Sequence, residues 1–316
     1  IEYTSSIRTR LNYAYDIRVF YHYLMEYNPV YRNYGIEQFQ PADLEKLSAV
    51  DIEEYMDYLK VYKSDDDALR TNGEKGLARK MSALRSFYGY YYKHQVITQN
   101  PTLLVDMPKQ HEKAIIRLDA DEVALLLDYV ESAGSTLSGQ ALKYYEKTRD
   151  RDLAILTLLL GTGIRVSECV GLDISNLDFE TNGMKIHRKG GAEVILYFGE
   201  EVRKALLDYL DERENIIPKE GSEDALFLSM QKRRISVRAV ENLVKKYARP
   251  VTPLKTITPH KLRSTYGTQL YQETGDIYLV ADILGHKDVN TTRKHYAAME
   301  DQRRRMAAGK IQLREK

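Results

Sequence analysis

The sequence predicts a mainly α protein of two domains, the second carrying a small antiparallel sheet. Three observations predict this. Apolar residues recur at steps of three and four along most of the chain, the period of an amphipathic helix. No strand pattern stands out before about residue 180. Two short alternating runs then flank a basic, glycine-rich tip, which reads as a β-hairpin. With 316 residues, the chain is long enough for two domains with their own cores.

The elements follow in order. Ile7, Leu11, Ala14, Ile17, Tyr21 and Leu24 line one face of a helix from Ser5 to about Asn28. Ile52, Tyr55, Met56 and Leu59 mark a second helix, and Ser64-Asp65-Asp66-Asp67 reads as a loop. A third helix begins near Asn72 or Gly73 and runs through Leu77, Met81, Leu84, Phe87 and Tyr91, with Lys75, Arg79, Lys80 and Arg85 on its other face. Residues 1–105 therefore form a small all-helical domain. Asn100-Pro101 and Met107-Pro108 punctuate the chain, so 106–116 reads as a linker and 117–316 as the second domain. Helices resume after Asp119, at 123–130 and 148–160, the latter stopped by Gly161-Thr162-Gly163. Ile164-Arg165-Val166-Ser167-Glu168 starts the next. The hairpin pairs Met184–His187 with Val194–Phe198 around Arg188-Lys189-Gly190-Gly191. Helices follow at 200–213, 236–248 and 261–273, then shorter ones from Ile277 onward.

Composition bounds the function without choosing it. The net charge of +1 gives no nucleic-acid signal by itself. One cysteine, Cys169, excludes a disulfide framework and a cysteine-based zinc site. The apolar run from Leu153 to Leu160 is far too short to span a bilayer, and no signal peptide is visible. Tyrosine is over-represented, 25 against 6 Phe and no Trp, which suits an aromatic core with polar tips as well as a DNA surface. Charge is uneven along the chain. Residues 206–224 are acidic, whereas from Phe227 to Arg263 ten basic residues, Arg234 and Arg238 among them, face one acid, Glu241. Such a run is either a solvated face or one wall of a polyanion site. The basic helix face of Arg79, Lys80 and Arg85 in the other domain supplies a second wall.

Single candidates for chemistry are individually weak. Thr258 and Pro259 suit a helix start, which sets His260 and Arg263 three apart on one face as an anion site. Arg165 lies one turn from Glu168, and a salt bridge between them is the plain reading. Lys189 sits at a hairpin tip, His286 follows a glycine, and Tyr296 is one tyrosine among many. No P-loop, dinucleotide fingerprint, Gly-x-Ser-x-Gly elbow or metal-ligand spacing is present.

The ordered set is specific. Gly161-Thr162-Gly163-Ile164-Arg165-Val166-Ser167-Glu168, Arg188-Lys189-Gly190-Gly191, His260-Lys261-Leu262-Arg263, Leu284-Gly285-His286 and then Tyr296 resemble the tyrosine recombinase (phage integrase) family. The catalytic resemblance covers about residues 118–300, and the overall cast looks most like integrases of conjugative transposons. Ser264 stands where the family often has His, and Ala192-Glu193 where many members carry a second basic residue.

The resemblance implies an N-terminal SAM-like core-DNA-binding domain and a catalytic domain that close on duplex DNA. It implies a site-specific recombinase, serving integration or transposition of a mobile element, that needs no cofactor, metal or ATP. Tyr296 would be the nucleophile, Arg165 and Arg263 the phosphate clamp, Lys189 the acid, His260 the base and His286 a further donor, with Glu168 orienting Arg165. Phosphate contacts are expected from Arg79, Lys80, Arg85, Arg234 and Arg238. The basic tail from Met299 to Lys316 would pack on a neighbouring protomer, giving a tetramer on two DNA sites, with an accessory directionality factor as a further partner. A cytoplasmic, nucleoid-associated enzyme is implied, and the start at Ile1 without Met implies a truncated chain lacking an N-terminal arm-binding domain. Two other readings keep the clamp without recombination: a non-catalytic helical DNA-binding regulator, and a relaxing enzyme like type IB topoisomerase.

Overall fold

The computed structural model describes residues 7–63, 68–109, 111, 116–188 and 191–285. The chain divides into two compact units, Ile1–Lys113 and Ala114–Lys316. The first unit contains α1 (Ile7–Tyr27), α2 (Pro41–Lys46), α3 (Ala49–Tyr58), β1 (Val61–Lys63), β2 (Leu69–Thr71) and α4 (Glu74–Lys93). Helices α1, α3 and α4 are those that the apolar period predicts. The six-residue α2 is too short to show a period. Pro41 starts it, and the Asp43 carboxylate accepts the Gln40 N–H at 2.9 Å. The β1–β2 hairpin also escapes sequence reading. Its strands are three residues long, with Tyr62 opposite Arg70, and only Tyr62 is half-buried, so no readable alternation is written into them.

The core of this unit takes up part of the tyrosine excess. Phe20, Tyr23, Leu24, Ile52, Tyr55, Met81, Leu84 and Tyr88 pack together. Each buried phenol body brings a hydroxyl that needs an acceptor. The Tyr31 hydroxyl donates to the Asp43 carbonyl at 2.9 Å, and that of Tyr88 to the Leu44 carbonyl at 3.3 Å. Burial pushes the Tyr88 hydroxyl well above its ordinary pKa. The plain reading of the tyrosines, aromatic bodies with satisfied polar tips, accounts for these residues.

The second unit contains α5 (Ala120–Ser132), α6 (Gly139–Glu146), α7 (Arg149–Thr162), α8 (Val166–Gly171), β3 (Leu177–Asp178), β4 (Gly183–His187), β5 (Glu193–Tyr197), α9 (Glu200–Glu214), α10 (Val237–Val251), α11 (Pro259–Thr274) and α12 (Ile277–Leu284). Helix α7 is apolar on nearly every side, so it is the buried axis of the unit, packed by α5, α9 and α11. Ala154, Ile155, Leu156, Leu158 and Leu159 are all fully buried. Arg151 and Asp152 in the first turn of α7 are buried too, and they are satisfied. Arg151 pairs with Asp152 at 2.6 Å and donates to the Leu228 carbonyl at 2.9 Å, while the Tyr247 hydroxyl reaches Asp152 at 3.1 Å.

The sheet runs β3-β4-β5 and is antiparallel throughout. Met184, Ile186 and Leu196 turn inward, and Lys185, His187, Glu193, Ile195 and Tyr197 outward. The hairpin inferred from Met184–His187 and Val194–Phe198 is therefore present within a residue of its predicted limits. The described helices likewise match those predicted from Asp119 to Leu284, with α6 as an addition, and the further helices expected toward the C-terminus lie outside the described residues.

Candidate active site

Helix α7 ends where the site begins. Gly163 closes it in the left-handed conformation, φ 64°, where a Cβ would run into the Tyr266 ring. The chain leaves this turn extended through Arg165 and re-enters a helix at Val166. Glu168, at the third position of α8, accepts the Arg165 backbone N–H at 2.7 Å and Nη1 of the same residue at 2.7 Å. The Glu168 side chain is 4% exposed, so its charge is compensated by one fixed guanidinium. That leaves Nη2 of Arg165, which donates to the Gly285 carbonyl at 3.0 Å and lies 3.4 Å from that of Leu284.

Arg263 comes from the first turns of α11. Thr258 occupies the cap position and Pro259 the first helical one, as their types predict, but the Thr258 side chain makes no cap bond. Arg263 is 6% exposed, whereas His260, one turn earlier, is exposed. The two therefore share a helix side without sharing an environment. Arg263 Nη1 donates to the Gly163 carbonyl at 2.6 Å, and Nη2 to the Leu284 carbonyl. Arg165 and Arg263 thus converge on one oxygen from two directions. A pair of planar forks so placed can hold a tetrahedral oxyanion through two of its oxygens.

A third arginine reaches the same place. Arg188, at the end of β4, donates through Nη1 to the Asp282 carbonyl at 3.1 Å and through Nη2 to the Ile283 carbonyl at 2.7 Å. The last carbonyls of a helix have no partner of their own, and cations suit this end of its dipole. Sequence reading passed over Arg188. Its one signal was its place in the basic tip Arg188-Lys189-Gly190-Gly191, where it was given no role. Lys189 follows it directly, and His286 follows Gly285. Lys189, His286 and Tyr296 lie outside the described residues.

The predicted DNA contacts sort into three kinds. Lys80 is buried, its Nζ 3.0 Å from the Asp16 carboxylate, and Arg79 pairs with the same acid. Lys80 therefore serves the interior of the first unit and does not present its charge to a surface. The helical period could show which face it lay on but not that Asp16 would meet it there. Arg85 is spent on the backbone, donating to the Thr102 and Val105 carbonyls at 3.2 and 2.6 Å. Arg234 ties α8 to the following loop, donating to the Leu172 carbonyl at 2.8 Å and pairing with Asp173. Arg238 is exposed on α10, with Glu241 at 3.1 Å. Ser236 caps that helix as predicted, accepting the Ala239 N–H at 3.1 Å.

Among the described residues no three His, Cys, Asp or Glu side chains group to hold a metal ion, and no helix is long and apolar enough to cross a membrane. The lone Cys169 is fully buried, and burial pushes its thiol up to about 12.

Comparison with known proteins gives the same picture. The Phage integrase family profile matches residues 116–303. The tyrosine recombinase XerC of Caldanaerobacter subterraneus subsp. tengcongensis is 32% identical over 326 aligned residues, covering 99% of this chain and 85% of that protein. The tyrosine recombinase XerD of Oceanobacillus iheyensis is 31% identical over 264 residues, covering 83% and 82%. Among solved structures, the XerH site-specific recombinase in a post-cleavage complex with its difH substrate aligns with a TM-score of 0.68 at 20% identity, covering 94% of this chain and 78% of that one. The Tn1549 transposon integrase bound to transposon right-end DNA aligns with a TM-score of 0.66 at 20% identity, covering 96% and 95%. The structural likenesses establish a shared fold, and the sequence matches establish descent. Taken with the arginine pair at the end of α7 and the start of α11, they show that this chain belongs to the phage integrase family of tyrosine recombinases.

Proposed function

We propose that the chain is a site-specific DNA recombinase of a mobile element, cleaving and rejoining duplex DNA through a covalent tyrosine link. The observation that carries the reading is the convergence of Arg165 and Arg263 on the Leu284 carbonyl oxygen. That geometry suits two non-bridging oxygens of one phosphate.

The chemistry is transesterification. The Tyr296 hydroxyl oxygen attacks the scissile phosphorus, forming a 3′-phosphotyrosyl bond as the bond to the 5′-oxygen breaks. His260 takes the tyrosine proton and Lys189 gives one to the leaving 5′-oxygen, so charge and protons balance. Arg165 and Arg263 neutralise the charge that builds on the phosphoryl oxygens, with His286 as a further donor. Glu168 holds Arg165 in its pose. The phosphotyrosyl ester keeps the energy of the broken bond, so rejoining needs no ATP, and the scheme uses no metal.

The core-DNA-binding domain would be residues 1–105, most of the first unit, joined through 106–116 to a catalytic domain that includes an exchanging C-terminal tail. Arg79 and Arg238 are the basic residues best placed at the surface to meet phosphates. The working assembly would be a tetramer on two DNA sites, in the bacterial cytoplasm and on the nucleoid, with an accessory factor setting direction. A conjugative-transposon element is the reading the cast of catalytic motifs suggests, and the Tn1549 transposon integrase shares this fold.

The test is covalent trapping on nicked suicide duplexes. Wild-type protein yields a protein–DNA adduct, and Tyr296→Phe binds the duplex but yields none. An adduct with Tyr296→Phe at the wild-type level sinks the assignment.

A further inference from the structure

Tyr266 meets both segments on which the arginine pair depends, and the catalytic scheme gives it no part. It lies three residues after Arg263 on α11, on the same side of the helix. Its ring is packed on Gly163: a Cβ on that glycine would collide with Cδ1 of the ring and lie 3.0 Å from Cε1. The Leu284 side chain closes the other flank, its Cδ2 3.0 Å from the same point. Tyr266 also packs on the cluster of Tyr271, Val280 and Leu284, which joins α11 to α12. Burial alone pushes its hydroxyl above the ordinary pKa, with no charged neighbour behind the shift. These contacts belong to the ring and not to the hydroxyl.

Gly163 and Leu284 are also the residues whose carbonyls hold the arginines. Arg263 donates through Nη1 to Gly163 at 2.6 Å and through Nη2 to Leu284, and Arg165 Nη2 lies 3.4 Å from the same Leu284 oxygen. The ring of Tyr266 thus stands between the two peptides that the Arg263 fork spans. Close-packed interiors have few voids and pass a displacement on to their neighbours. Gly163 has no side chain of its own to keep its turn clear of α12. With the ring gone, the turn and the end of α12 would settle into the space, and the two carbonyls would move relative to each other. A planar fork bonded to both follows them.

We infer that Tyr266 is a positioning residue for the arginine pair. Its ring is a spacer that sets the separation of the Gly163 and Leu284 carbonyls and so the pose of Arg263 and Arg165. The inference rests on the proposed reading of these arginines as a phosphate clamp. It adds that the clamp is held by an aromatic ring one helical turn behind it, which needs no hydroxyl.

The experiment compares two suicide duplexes that differ only at the scissile group. One carries the natural phosphate, the other a methylphosphonate, in which a methyl replaces one non-bridging oxygen and removes its charge. A neutral phosphoryl group asks less charge stabilisation of the arginines, whereas a general defect of folding harms both substrates alike. The full chain as wild type, Tyr266→Ala, Tyr266→Leu, Tyr266→Phe and Arg263→Ala is assayed for single-turnover cleavage, each rate taken relative to wild type on the same substrate. Displacing a catalytic group by about an ångström costs on the order of 100-fold in rate. A loss of that order is expected for Tyr266→Ala on the phosphate, with most of it regained on the methylphosphonate. Tyr266→Phe keeps the ring and should cleave both substrates as wild type does. Tyr266→Leu fills part of the space, so it falls between, and it decides the matter by the same comparison if Tyr266→Ala does not fold. Equal losses on both substrates, no loss on either, or a Tyr266→Phe as slow as Tyr266→Ala overturns the inference. The Arg263→Ala arm separates the two levels. If the methylphosphonate restores Arg263→Ala but not the Tyr266 variants, only the role of Tyr266 falls. If it fails to restore Arg263→Ala, the clamp assignment falls and takes this inference with it.

Discussion

Arg165 and Arg263 share an acceptor: Nη2 of each points at the carbonyl oxygen of Leu284, one from the approach to α8 and the other from α11. A carbonyl oxygen and a phosphoryl oxygen ask the same of a guanidinium, a donor in its plane. The pair is therefore held in a pose suited to an oxyanion.

Lysine at either position keeps the charge and loses the fork. Arg263→Lys cannot span the Gly163 and Leu284 carbonyls at once, and Arg165→Lys cannot serve both Glu168 and Gly285. Each change should lower single-turnover cleavage by about 100- to 1000-fold, as the loss of one preorganised transition-state donor does. Gel-shift affinity should change by far less. A variant that cleaves at the wild-type rate would remove that arginine from the clamp.

Salt dependence separates surface cations from interior ones. Arg238 is exposed on α10, and Arg238→Ala should reduce the slope of log affinity against log salt by about 1. Lys80→Met should leave that slope unchanged, because Lys80 is 5% exposed and its charge is matched by Asp16. Equal changes of slope would place Lys80 on the DNA after all.

The Asp16 cluster also sets a stability prediction. Asp16→Ala strands the Lys80 ammonium in the core of the first unit, and breaking a buried pair from one side costs about 3–5 kcal/mol. Urea unfolding of the full chain should show the corresponding early loss of that unit. The double variant Asp16→Ala/Lys80→Met should regain most of it. If the single variant unfolds like wild type, the pair does not bear on the fold.

Cys169 reports on the core of the second unit. Burial raises its thiol from the ordinary value of 9.0 to about 12, so the folded form holds its proton where the unfolded chain releases it. The resulting stability is fully present below pH 9 and is lost as pH climbs from there toward 12. At pH 8 a maleimide should label the native protein only as fast as it unfolds. Rapid labelling of native protein would contradict the buried position.

What the sequence revealed and what it hid divide along physical lines. Helices α1, α3 and α4 announce themselves because a packed face writes its period into the residues, and α7 does so as an apolar run stopped at Gly163. The β4–β5 hairpin does so because one face is buried and one is wet. Arg165 and Glu168 are legible as a pair because a single helical turn brings them together. The partner of Lys80 was not legible: Asp16 lies 64 residues away, and only the packing of α1 on α4 joins them. Arg188 was hidden for another reason. It binds main-chain oxygens 94 and 95 residues on, and a carbonyl acceptor leaves no mark in the identity of the residue that carries it.

That last property shapes how the end of α12 can vary. Arg165, Arg188 and Arg263 meet this segment at the peptide oxygens of Asp282, Ile283, Leu284 and Gly285. Exposed Asp282 can drift to another residue without touching the contact. A one-residue deletion in α12, or a proline that bends it, would shift four acceptors together and put three arginines out of register in a single step. The segment is thus permissive to spelling and intolerant of length.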